Sequence, residues 1–391
     1  MKTYKWIFTI SIALLILSSL LSACKPKVQI ENKAQLEAAF QAALDKMVND
    51  NKNNHSAVIM IQGPGVEWQG ASGYADPDAG IEMLPGDQYR SASTAKMTLT
   101  VLALRLAEEG YLDLDAPIAD YLPNEIITGL HVYEGTDYSD TITTRQLLHN
   151  TSGIADFWFD ERDEDRFITM VLEEDTDHLW QPIETVNYAK ENLTPLSVPG
   201  EEVHYSDTNF ILAGLVIESV TGQPLHEVYR QWLFEPLGME HTYMEFREPS
   251  RESLPGRGIS HVFYGDIDYT NFQSISADWA GGGLVTTTED MTRFMRAFAD
   301  NAIFTDPTTQ DAMSDWMPFS GDNVEYGLGL MRITGKTITL IGHLGVGQAF
   351  IFYWPDGDVT LCGTLNQNEV QVGGMVSEMI IAMRSYTENQ P

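Results

Sequence analysis

Residues 89–110 read YRSASTAKMTLTVLALRLAEEG. The pattern predicts a helix from Ser93 to Glu109, closed by Gly110 in the position that favours a left-handed residue. Ser93 and Lys96 stand three apart, so a helix beginning near Ser93 places both on one face. A helix N-terminus also offers free backbone N–H groups and the positive end of the macrodipole. An amine beside a hydroxyl can take part in proton transfer, and the N–H groups can hold an oxyanion. By itself Ser-x-x-Lys is a weak signal that reads more readily as an ordinary helix cap, so the decision rests on the rest of the chain.

The chain has 391 residues, enough for one large core or two moderate ones, and its apolar content of 43% is that of a globular protein. Its formal charge of −33 repels phosphate backbones and anionic bilayers, which excludes nucleic acid as a partner. Lys2 and Lys5 precede the apolar run WIFTISIALLILSSLL, which ends in Leu21-Ser22-Ala23-Cys24. This resembles a bacterial lipoprotein signal and implies removal of residues 1–23, lipidation of Cys24 and an extracytoplasmic protein held to the envelope by lipid alone. An ordinary secretory leader is the other reading. Residues 24–35 then form a tether, and 36–391 a single domain. Cys362 is the second and last cysteine, in the apolar run VTLCGTLNQ, and reads as a buried strand residue.

Leu36, Phe40, Leu44 and Met47 recur at helical spacing. SAVIMIQGPGVEWQGASGYAD (56–76) gives two strands around Gly63-Pro64-Gly65. Residues of about 143–300 carry most of the helical patterns: TTRQLLHNTSGI as a short helix ending at Gly153, DTNFILAGLVIESVTG as a long one ending at Gly222, and TTEDMTRFMRAFAD behind a threonine cap. Strands resume at about Tyr326, with Pro355-Asp356-Gly357 as a hairpin turn, and a last helix covers about Val376–Met383. The expected architecture is α/β (α+β): an antiparallel sheet built from both chain ends, flanked by helices, with a mostly helical region inserted between.

Two later stretches decide how Ser93 is read. Tyr205-Ser206-Asp207-Thr208-Asn209 opens the long apolar helix, and Gly342-His343-Leu344-Gly345 lies on or beside a strand. With Ser93-Thr94-Ala95-Lys96, in this order, they resemble the serine β-lactamase-like, penicillin-binding family of class C β-lactamases, DD-carboxypeptidases, D-aminopeptidases and related esterases. LDLDAPIADYLP, LLHNTSGI and AGGGLVTTTEDMTRF extend the resemblance over roughly 33–385. It implies Ser93 as the acylated nucleophile, Lys96 as the amine that helps deprotonate it, and Tyr205 as the proton shuttle to the leaving group. His343 and Gly345 would line the opposite wall, and the backbone N–H groups of Ser93 and Val346 would form the oxyanion hole. No cofactor is implied. A tyrosine near a lysine ammonium should have its pKa lowered toward a useful range.

Two positions depart from common family patterns. Position 207 is Asp where many members have Asn; a carboxylate accepts but cannot donate, so it would favour charged Lys96 and shift the proton work to Tyr205. The other reading is a tolerated variant, with Asn209 or water supplying the lost donor. Position 344 is Leu where a Thr or Ser hydroxyl often helps bind a substrate carboxylate. Together these favour a D-amino-acid peptide, as for a DD-carboxypeptidase, or a small ester over a β-lactam. Class C-type β-lactamase and a penicillin-binding sensor are the alternatives. His149 reads as structural, and His204 as a neighbour that could tune Tyr205. Histidine spacing gives no H-x-x-H or H-E-x-x-H metal pair, Gly281-Gly282-Gly283 lacks the Lys-Ser/Thr of a phosphate loop, and G-x-S-x-G is absent. Trp158, Trp180 and Trp279 read as packing residues first.

Overall fold

The computed structural model describes residues 29–160 and 166–389. Cys24, the leader before it and the start of the tether lie outside the described residues. The helix Lys33–Asn49 (α1) starts where the Asn32 side chain accepts from Gln35 N–H, an N-cap bond. Strands β1 (Ser56–Gly63) and β2 (Val66–Asp76) form a hairpin whose two-residue loop ends on Gly65 at φ +70°, a conformation cheap only for glycine. Ile81–Glu82 (β3) pairs on the outside of β2.

The C-terminal third supplies β4 (Met317–Ser320), β5 (Val324–Tyr326), β6 (Met331–Thr334), β7 (Thr339–Leu344), β8 (Phe350–Trp354) and β9 (Val359–Thr364). Among the described residues these nine strands form one antiparallel sheet in the order β4-β5-β6-β7-β8-β9-β1-β2-β3. The two chain ends meet at β9–β1, with Val58 opposite Thr364 and Ile61 opposite Leu361. Alternation sorts the side chains: Ile59, Ile61, Phe350, Phe352 and Leu361 share a cluster with Leu36 and Phe40 of α1 and Met375 and Met379 of the last helix, Gly373–Glu388. Ile351 and Cys362, from the intervening positions, belong to the other cluster. Cys362 is fully buried there, as its apolar surroundings predicted.

That second cluster holds the helices Ala95–Glu108 (α2) and Asp207–Thr221 (α3). Eleven residues of α2 are buried, so it is a central rather than a surface helix. α3 ends on Gly222 at φ +66°, and the helix Thr288–Ala299 is capped by the Thr287 side chain as expected.

Several boundaries differ from expectation. α2 begins at Ala95, preceded by a 3₁₀ turn over Ala92–Thr94. The 144–153 segment is helical only through Leu148, because Asn150 turns left-handed at φ +56°. The last helix is longer than 376–383. Strands resume at Met317, not Tyr326; Pro318 hid β4, an edge strand with a bulge at that proline, where a missing N–H is tolerated. The inserted region is not only helical. Tyr89–Arg90, Leu284–Thr286 and Tyr243–Met244 form a small three-stranded sheet, too short to leave a period in the sequence.

Candidate active site

The small sheet places the nucleophile turn. Tyr89–Arg90 pairs with Leu284–Thr286, and Ser91 N–H donates to the Leu284 carbonyl at 2.8 Å. Arg90 locks the junction: it donates twice to Glu245, at 2.7 and 2.8 Å, and to the carbonyls of Tyr269 and Thr270. The chain then turns at Ala92, whose φ of +46° is sparsely populated for a residue with a Cβ. Ser93 follows, partly exposed, and Lys96 lies on the first turn of α2 with no exposure at all.

Lys96 has three protons and three acceptors: Ser93 Oγ at 2.9 Å, Asp207 Oδ1 at 2.5 Å and the Gly281 carbonyl at 3.0 Å. Its ammonium also sits 5.0 Å from the Tyr205 ring centre. Gly281 must be glycine, since a Cβ there would meet Asp207 Oδ1 at 2.7 Å. Gly281 thus admits the lysine and its carboxylate to the backbone. Gly214 of α3 does the same for Trp279, whose ring a Cβ would meet at 2.8 Å. Trp158, Trp180 and Trp279 are all core residues.

Tyr205 is positioned by Asn150 of LLHNTSGI. The Asn150 carbonyl accepts from His204 N–H at 2.7 Å and its Oδ1 from Ser206 N–H at 3.1 Å, one bond on each side of the tyrosine. The expectation of a lowered Tyr205 pKa is overturned. Burial, reinforced by the Asp207 charge and opposed only in part by the Ser93 hydroxyl, raises it well above the ordinary value, so Tyr205 is a phenol. A phenol can donate a proton but is no ready base, so the shift of proton abstraction from Lys96 to Tyr205 expected from Asp207 is not favoured. His204 pairs with Asp160 at 2.6 Å instead of with Tyr205, and His149 is a core histidine, its Nε2 facing the carbonyls of Asp315 and Tyr326.

On β7, His343 is fully buried, and burial together with the Lys96 charge pushes its pKa down to about 3. The neutral ring donates from Nδ1 to the Leu344 carbonyl at 2.9 Å, which leaves Nε2 to accept from the Tyr326 hydroxyl at 3.2 Å. Leu344 is revised. Successive strand residues face opposite ways, and its side chain is buried in the apolar cluster with Phe350 and Phe352. Its lack of a hydroxyl is a packing choice. Gly345 approaches the nucleophile: a Cβ there would lie 2.8 Å from Ser93 N. Val346 follows, opening a tight turn through Gly347 at φ +72°.

The structure therefore brings together Ser93, Lys96, Tyr205, Asp207, His343 and Gly345, with Val346 next in line. Sequence reading missed Asn150, Asp156 and Asp278. Asp156 Oδ1 accepts from the N–H groups of Asp207 and Trp158; burial, then the charges of Asp207 and Asp160, push its carboxyl well above the usual range. No spacing signal marks either aspartate.

The fold is shared with known proteins. The Beta-lactamase family model matches residues 36–376. A D-stereospecific amidohydrolase from Streptomyces sp. superposes with a TM-score of 0.73 at 28% identity, covering 89% of this chain and 98% of that one. Protein flp of Staphylococcus aureus (strain N315) is 26% identical over 66% of this chain and 48% of its own length, and Esterase EstB of Burkholderia gladioli is 28% identical over 57% and 55%. The chain spans about half the length of the curated relatives it matches. A serine and a lysine in hydrogen-bond contact, a tyrosine and a glycine strand end facing them, and a match over most of the chain lead to one assignment: the chain belongs to the β-lactamase family.

Proposed function

We propose that the protein is a serine hydrolase that works through an acyl-enzyme on an amide or ester, either a D-amino-acid peptide or a small ester. The observation that carries this is the 2.9 Å contact between a partly exposed Ser93 hydroxyl and a sealed Lys96. Lys96 passes a proton to Asp207 along their 2.5 Å contact, and the freed amine takes the Ser93 proton as Oγ attacks the carbonyl carbon. The backbone N–H groups of Ser93 and Val346 hold the oxyanion. Tyr205, a neutral phenol, gives its proton to the leaving amine or alkoxide and regains one from Lys96. Water then attacks the acyl-enzyme by the same route in reverse. The amidohydrolase and esterase among the relatives support this reading.

Turnover of p-nitrophenyl esters, nitrocefin and a D-Ala-D-Ala peptide, with intact-mass detection of the acyl adduct, tests it. Ser93→Ala should abolish both turnover and adduct. Activity that survives unchanged in Ser93→Ala sinks the mechanism, and an adduct without turnover makes the protein a sensor.

We further propose that Cys24 carries a lipid and holds the domain to the extracytoplasmic face of an envelope membrane. Among the described residues no helix is long and apolar enough to cross one. Detergent-phase partitioning lost in Cys24→Ser supports the anchor; unchanged partitioning removes it.

A further inference from the structure

The ionisable groups around the nucleophile have partners, with one exception. Lys96 has its three acceptors, Arg90 has Glu245, and Asp156 accepts two backbone N–H groups. Asp160 has His204. The Asp278 side chain makes no hydrogen bond or ion pair with any described residue. It stands at the N-cap of the short turn Trp279–Gly282, yet its side chain makes no capping bond, so local structure does not explain it. The next residue, Trp279, sits at φ +26°, a strained conformation that the surroundings hold in place.

Asp278 lies beside the nucleophile turn. A methyl built on Gly282 would lie 3.2 Å from Asp278 Oδ2 and 3.2 Å from the Ala92 carbonyl carbon, which is bonded to Ser93 N. Asp278 also retains partial exposure, as do Ser93, Tyr205, Gly345 and Val346, while Lys96, Asp207 and His343 behind them are buried. Of these partly exposed residues, Asp278 is the one with a carboxyl. These residues offer a substrate no free cation: Lys96 is sealed and fully used, and His343 is neutral.

We propose that Asp278 determines specificity by binding a protonated amine close to the scissile carbonyl, so that the preferred substrates are amides or esters of an amino acid with a free ammonium group. Acyl compounds carrying a carboxylate at that place are rejected. This rests on the acyl-enzyme reading and names its substrate class. The surroundings fit the role. Burial and the Asp207 charge push the Asp278 carboxyl up to about 7, against the opposing pull of Lys96 and Arg90 and with a small contribution from Glu245. Its own charge reaches Tyr205. An arriving cation supplies the partner that the protein withholds and favours the ionised form. A carboxyl held without a partner in the resting protein is thus kept ready to ionise against a cationic ligand.

Phenylalanine p-nitroanilide with a free amine, its N-acetyl form and its N-succinyl form give a cationic, a neutral and an anionic series on one acyl group. The assay uses both enantiomers and compares the protein with Asp278→Asn and Asp278→Glu. The wild type should favour the free amine over the N-acetyl form in kcat/KM. Asp278→Asn should lower that ratio at least tenfold and raise the relative rate on the N-succinyl form, and Asp278→Glu should restore the preference. Near-ultraviolet circular dichroism of each variant controls for folding. An unchanged ratio in Asp278→Asn, or a wild type that favours the N-succinyl form, overturns the proposal. Ser93-dependent ester hydrolysis without turnover of the free amine overturns it too and leaves the acyl-enzyme standing. Ester hydrolysis that does not need Ser93 removes both.

Discussion

Two cations are buried against carboxylates within six positions of one another, and they do different work. Arg90 is a clamp. Four donor contacts fix it to Glu245 and two carbonyls, it holds one rigid fork geometry, and it joins three distant segments beside the nucleophile turn. Lys96 is also saturated, but one of its three acceptors is a reactive hydroxyl and another is a carboxylate at 2.5 Å. A point charge with transferable protons suits chemistry, while a guanidinium that never deprotonates suits architecture. The two pairs show that burial of an ion pair does not by itself mark a catalytic group; what marks Lys96 is its contact with the Ser93 hydroxyl.

The contrast makes separable predictions. Lys96→Met should cost about 10³-fold in kcat/KM on a p-nitrophenyl ester. Because the single change leaves Asp207 buried without its cation, the double variant Lys96→Met/Asp207→Asn is the cleaner measurement: it should keep the fold by circular dichroism and still lose the rate. Recovered rate in the double variant would place catalysis elsewhere. Arg90→Met should act on stability instead, lowering the unfolding free energy by about 3 kcal/mol by denaturant titration, since it strands Glu245 in a nearly buried site. A stable but inactive Arg90→Met would erase the distinction. Asp207→Asn should reduce kcat by a factor on the order of 10², because an amide still accepts from Lys96 but cannot take its proton. Equal kcat in that variant would mean that Lys96 loses its proton by another path.

The smallest effect is on acid stability. The folded pKa of His343 lies near 3, below its unfolded value, so the unfolded chain binds a proton that the fold refuses. The contribution of this site is therefore intact above about pH 6.5 and is lost progressively as the pH falls toward 3. His343→Gln should flatten the melting-temperature profile in that window. Arg90 makes no such contribution, and its replacement should shift the whole profile without changing its slope there.

The sequence revealed different parts of this picture unequally. The sheet from both chain ends was readable because β1, β8 and β9 are long apolar runs with turn residues between them. The small sheet around Tyr89–Arg90 was not, since two or three residues cannot display a period. Ser93, Lys96 and Tyr205 were readable as motif positions. The state of Tyr205 was not: proximity to a lysine suggested a lowered pKa, and depth of burial reversed it. Leu344 was misjudged because a motif names a position without saying which face of the strand it occupies. Asp156 comes from a loop and Asp278 ends a 3₁₀ turn, and their neighbours in space lie far off in sequence, so nothing local announces them.

The junction of β1 with β9 has a consequence for how the protein comes into being. Val58 waits for Thr364, and Ile30 N–H donates to Ser385 Oγ, across most of the chain. Contacts of such separation form late and slowly, because the intervening loop must be closed before they return any free energy. Until β7 to β9 have been made and docked, Ser93 and Lys96 have no facing wall at His343 and Gly345. A growing chain thus carries its nucleophile for hundreds of residues before the opposite wall exists, and the site is complete only with the last strands.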